Sequence, residues 1–366
     1  MLRNRARMLC TVAAIVAASV YASSQTADFG PTFVGLPLSQ FRGMTRVDQA
    51  FNLMQSAGAN FTEIRTTWAQ LEPSPGKVNF AVQPFPLFES VRKTYPALFG
   101  SVAVNIEVVV TANRSMPEDL ALRNFSDPVV LDRFTQLLGK LAEYNRKFPI
   151  NYVIIGHEAD VYLSLHPTEV GAFEDFYAHA VETVHRLMPG VEVGTSMTHT
   201  LVTQNPTLVD RIAQYSDLLV YTYYPVDASW QMRPLTEVPD DMQSLAAHAQ
   251  GKSFGLLEVG YSVHGLNGGS EQNQAQFVQT LFQSLEPYRS SGQLRFLQYW
   301  MLFDFPPEQA FQVAQAQGHA DPAVVAFLSS LGLRRYDAGG AKRAGWDVFS
   351  SMASTWTARQ LPLQRP

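Results

Sequence analysis

Short apolar runs alternate with amphipathic stretches along almost the whole chain, and the alternation repeats eight times. The runs are Phe33 to Leu36, Asn60 to Arg65, Ser101 to Val110, Tyr152 to Ile155, Val191 to Met197, Asp217 to Tyr221, Phe254 to Leu257 and Arg295 to Leu302. Between them, residues such as Val47, Ala50, Phe51 and Met54 recur at helical spacing, and the same periodicity fills 130–144, 171–188, 242–250 and 271–286. The 366 residues would fit two ordinary domains or one large barrel. Eight strand-helix units favour the barrel: an α/β fold of the (β/α)8 TIM type rather than an open doubly wound sheet. No shift in composition marks a boundary, so residues 23–358 read as a single domain. Within it, 66–76 reads as a long loop with two prolines, 308–330 as a helical insertion after the eighth strand and 341–357 as the closing helix. Residues 359–366 read as a frayed tail.

The first residues are set apart from this pattern. Arg3, Arg5 and Arg7 precede an apolar run from Met8 to Val20, with Ala22 placed for small-residue cleavage. Residues 1–22 therefore read as a secretory signal peptide, and the expected location is secreted or periplasmic, with no stable membrane anchor once the leader is cleaved. The only cysteine, Cys10, lies in that leader. A mature chain would then have neither disulfides nor a thiolate nucleophile.

Several functions are disfavoured. The net charge is −5 and becomes more negative without the three leader arginines, which argues against nucleic acid or anionic lipid as partner. The eight histidines are scattered, with no HExxH and no clustered Cys/His spacing, so no metal is expected. No glycine-rich phosphate loop or G-x-S-x-G elbow is present, and no cofactor is expected.

Two strand ends carry acid groups. Tyr152 to Ile155 passes through Gly156 into His157, Glu158 and Asp160; Phe254 to Leu257 runs into Glu258, Gly260 and Tyr261. Paired carboxylates at the C-terminal tips of two buried strands are what double-displacement cleavage of a glycosidic bond requires. A partly desolvated carboxyl favours its protonated form and can protonate a departing oxygen, the part expected of Glu158. Glu258 must stay ionised to attack, with a tyrosine hydroxyl or an arginine as donor. Glu63 and Glu107, within apolar strands, read as groups paired inside the barrel.

The strand-four Gly-x-Glu, the Leu-Leu-Glu-Val-Gly-Tyr-Ser at 256–262 and the Tyr-Trp-Met-Leu-Phe-Asp at 299–304 resemble the clan A glycoside hydrolases, retaining enzymes on TIM barrels. Segments 58–80, 221–225, 270–281 and 327–349 add to the likeness, which spans nearly the whole mature chain. The resemblance implies a retaining glycoside hydrolase acting on a carbohydrate, with Glu158 as general acid/base and Glu258 as nucleophile. It also implies Arg65 near the nucleophile and Tyr224 as its hydrogen-bond donor, with Tyr223 as the fallback. Trp68 and Trp300 offer flat faces either to sugar rings or to the core, and Asp304 is placed to orient a distal hydroxyl or to cap a loop. The chain departs from the family at His157, where asparagine is usual. The imidazole is a substrate donor or a buried structural group, held by Asp160 unless Asp160 caps the next segment. A carbohydrate-binding protein without turnover and a transglycosylase are the alternative readings.

Overall fold

The computed structural model describes residues 31–318 and 320–358; the leader with Cys10 and the tail 359–366 lie outside the described residues. Eight parallel strands form a barrel: β1 (Phe33–Gly35), β2 (Phe61–Thr67), β3 (Ser101–Val110), β4 (Tyr152–His157), β5, β6 (Leu218–Tyr223), β7 (Ser253–Val259) and β8 (Leu294–Tyr299). Strand β5 comes in two pieces, Glu192–Gly194 and Ser196–Thr198. The first pairs with β4, Tyr152 opposite Glu192, and the second with β6, Ser196 opposite Val220. One interrupted strand therefore joins the two ends of the sheet, while β1 sits between β2 and β8. The expected TIM barrel is the observed fold.

The helical layer is richer than the periodicity suggests. Residues 66–76 are not one loop: Thr66 and Thr67 finish β2, and Trp68–Leu71 forms a helical turn closed by a reciprocal cap between Thr67 and Gln70. The helix Phe85–Thr94 has Pro86 in its first turn, where a missing N–H costs nothing. The insertion after β8 is two helices, Pro307–Ala316 and Pro322–Leu328, not one.

Alternation along each strand sorts side chains between the helical layer and the barrel interior. Phe61, Ala103, Tyr152, Ile154, Leu218, Val220, Leu257 and Phe296 form an apolar plug inside. Phe61 and Phe296 stack within it, centroids 4.5 Å apart and planes at 10°. Gly255 makes room for that stack, because a Cβ there would lie 2.3 Å from Phe296 Cζ. One step up each strand the interior turns polar: Phe61 gives way to Glu63, Ala103 to Asn105 and Phe296 to Gln298. The plug is the floor on which the polar layers rest.

Overpacking of this kind typically costs about 1–3 kcal/mol, occasionally more. Gly255→Ala is expected to destabilise the barrel by at least that order, read as a lower denaturant midpoint. An unchanged midpoint would show that the Phe296 ring yields freely.

Candidate active site

The polar layers above the plug are organised by Arg65. Glu63 accepts hydrogen bonds from Arg65 Nε (2.9 Å), Asn105 Nδ2 (3.0 Å) and Gln298 Nε2 (2.7 Å). Burial alone would raise the Glu63 carboxyl, but the Arg65 charge and these donors outweigh it and hold the group below the ordinary carboxylate range. The guanidinium then spans upward. Arg65 Nη1 lies 2.6 Å from Glu258 Oε1, Nε lies 3.7 Å from Glu107 Oε1, and the group sits 4.6 Å from the Trp300 ring centroid.

Glu258 reaches this layer because β7 bulges. Phe254 and Leu256 pack outward into the helical layer, so strict alternation would send Glu258 the same way. The pairing with β6 slips by one residue between Tyr221–Leu256 and Thr222–Glu258, so Leu257 and Glu258 both face inward. Tyr224 Oη donates to Glu258 Oε2 at 2.8 Å. Burial pushes the Glu258 carboxyl up, the Arg65 charge pulls it down, and the Glu63 charge pushes it up again. The Arg65 and Tyr224 donors are what a carboxylate here needs to carry charge against that burial.

Glu158 is aimed by a different distortion. Gly156 adopts φ +85°, which breaks the alternation of β4, and Glu158 itself sits at φ 50°, ψ 47°. The left-handed region is disfavoured for a residue with a Cβ. Although Glu158 precedes the helix Ala159–Leu165, its side chain does not cap it. Instead it accepts from Thr111 Oγ1 (2.9 Å) and Thr222 Oγ1 (2.8 Å). The site thus joins residues from β2, β3, β4, β6, β7 and β8. One donor or acceptor atom from each of His157, Glu158 and Glu258 lies within 4.8 Å of the others, so the two carboxylates face each other. Among the described residues these three also form a group whose donor atoms lie close enough together to hold a metal ion.

His157 is 6% exposed, with Nε2 3.5 Å from Glu258 Oε1 and Nδ1 without a partner among the described residues. Burial and the nearby Arg65 charge push its pKa down to about 4, against the pull of Glu158 and Glu63. It is a neutral imidazole. Asp160 does not hold it: Asp160 Oδ2 accepts from Thr198 N (2.9 Å) and Oγ1 (2.8 Å), tying the helix after β4 to the end of β5.

Three expected ligands lie elsewhere. Trp68 is fully buried between strands and helices, stacked on Phe176 and edge-on to Phe134, with Nε1 donating to Glu72. It presents no face to a sugar. Tyr223, one step out of phase with Leu218, Val220, Thr222 and Tyr224, points outward and donates to Asp241. Asp304 caps a loop: it accepts from the Gly332 and Tyr336 amides and from Arg343 Nη1, which binds the segment before the last helix to the end of β8. Trp300, half-buried, does border open space, one wall of a cavity of about 420 Å³ shared with Gln40, Phe41, Phe305 and Gln309. Glu107, which the sequence reads as a group paired inside the barrel, does face the interior. It sits in the upper interior layer above Asn105, 7% exposed.

No family model matches the sequence, and no curated protein matches it. The fold is shared with solved glycoside hydrolases. The exo-β-1,4-mannosidase Op5Man5 from Opitutaceae bacterium strain TAV5 superposes with a TM-score of 0.64 at 16% identity, over 90% of this chain and 60% of that one, so this chain spans less than two thirds of its length. GH5_18 from Streptomyces cattleya, solved in complex with GlcNAc, gives 0.64 at 14% identity over 92% and 82% of the two chains. The GH53 catalytic domain of Ignisphaera aggregans gives 0.60 at 14% identity over 88% and 95%.

The imidazole makes a prediction about acid. The His157 ring is expected to protonate near pH 4 in the folded protein, against an ordinary value near 6.5. Since the unfolded chain takes up that proton first, stability present above pH 6.5 is lost as pH falls from there through 4. An NMR titration of the ring, assigned with His157→Asn, checks this. Protonation near 6.5 would contradict the buried neutral state.

Proposed function

We propose that the protein is a retaining glycoside hydrolase that cleaves O-glycosidic bonds of a poly- or oligosaccharide by double displacement. The observation that carries this reading is the approach of the Glu158 and Glu258 carboxylate oxygens to within 4.8 Å at the C-terminal mouth of the barrel. Retaining enzymes need two carboxyl groups about 5–5.5 Å apart, whereas inverting ones leave about 6.5–9.5 Å for a water.

Their surroundings support the division of labour. Glu258, paired with Arg65 and Tyr224, is the group to attack the anomeric carbon, and both donors hold its free oxygens in place until the covalent bond forms. Glu158, held by two threonine hydroxyls and partly open, is the group to protonate the departing oxygen and later to take a proton from water. Trp300 supplies an apolar face beside the cleft, backed by the Arg65 guanidinium. No helix of the described residues is long and apolar enough to cross a membrane. We place the mature chain from about residue 23 outside the cytoplasm, on the strength of the leader.

Glu158→Gln is expected to lower kcat by about 10²–10⁴ on the responsive glycan. Glu258→Gln is expected to abolish turnover, with folding unchanged by circular dichroism. In Glu258→Ala, azide is expected to restore cleavage and yield a glycosyl azide of inverted configuration. Full activity in either glutamine variant would reject the assignment, and a glycan panel left intact by the wild type would indicate binding without turnover.

A further inference from the structure

The charges in the site do not balance. Glu63, Glu107 and Glu258 converge on Arg65, the ion-pair partner of all three. Arg65 is fully committed to Glu63 below and Glu258 above. His157 is uncharged above about pH 4 and neutralises nothing. The Glu158 carboxylate accepts only from the Thr111 and Thr222 hydroxyls. Among the described residues no other cation pairs with this group.

Glu107 bears the consequence. Its side chain is nine-tenths buried, yet it receives no hydrogen bond from any described residue. Its one ionic contact is Arg65 Nε at 3.7 Å, beyond hydrogen-bond reach. Burial, opposed by Arg65 and reinforced by the Glu63, Glu258 and Glu158 charges, pushes its pKa up to about 7. A carboxylate in this position gains most from a cation that arrives with the ligand, because a buried, screened-off charge interacts far more strongly than an exposed one.

Resting on the reading of this cleft as a sugar site, we propose that Glu107 is a specificity residue that binds the ammonium group of an unacetylated amino sugar, so that the substrate is a glycan containing free hexosamine. A neutral sugar leaves the excess charge in place, and an N-acetyl group removes the cation as well as adding bulk. An ammonium donates up to three hydrogen bonds and has no acceptor, which suits the Glu107 carboxyl, an acceptor that no described residue supplies with a hydrogen bond.

Glucosamine and galactosamine, each beside its neutral parent and its N-acetyl counterpart, are to be titrated into the full chain at pH 7, where Glu107 is substantially ionised, and followed by NMR. The expected result is binding of at least one amine about ten-fold tighter than both of its counterparts, and loss of that margin in Glu107→Gln. Equal binding of amine and neutral sugar by the wild type would overturn the proposal, whatever the variant does. So would a margin that survives in Glu107→Gln. Amine preference in a protein that cleaves no glycoside would uphold the role of Glu107 and reject the hydrolase reading, so the two fail separately.

Discussion

The site depends on one guanidinium held inside a barrel. Arg65 is anchored from below by Glu63, which is itself fixed by Asn105 and Gln298, and only then does it reach Glu258. A buried ion pair of this kind contributes little net stability once desolvation is subtracted, but breaking it leaves an uncompensated charge. Its value lies in position. Arginine offers a planar fork that serves two carboxylates at once, which a lysine ammonium cannot reproduce. Side chains from four strands are thereby set in one geometry before any ligand arrives.

The two carboxylates arrive by departures from regular strand structure. A regular β7 would have delivered Glu258 to the helical layer, and a regular β4 would have ended without the turn that carries Glu158. Both distortions stand on the apolar plug, where the Phe61–Phe296 stack and Gly255 leave no slack. Rigid packing below and irregular backbone above divide the work of scaffold and site.

That division also decides what the sequence disclosed. The eight apolar runs and the helical spacing between them were legible, as were the two strand-end glutamates, because both are statements about period and position. Orientation was less legible. In a strand buried on both faces, hydrophobicity does not say which face looks inward. The alternation Leu218, Val220, Thr222, Tyr224 nevertheless contained the choice between Tyr224 and Tyr223, and Ala103, Asn105, Glu107 contained the third carboxylate. For Trp68 the sequence leaves core and sugar platform open, and the helical turn that settles its burial is announced only by the Thr67–Gln70 cap. Nothing local in the sequence shows that Asp304 would be consumed by Arg343, since that contact joins distant segments.

Closure of the barrel has a bearing on how the molecule is made. Thr32 Oγ1 donates to the carbonyl of Leu294, 262 residues further on, and β1 is flanked by β8 on one side. The first strand therefore has no partner on that side until almost the entire polypeptide has emerged from the ribosome. A chain in that condition cannot shut its ring during synthesis, and closure waits on the arrival of the last strand.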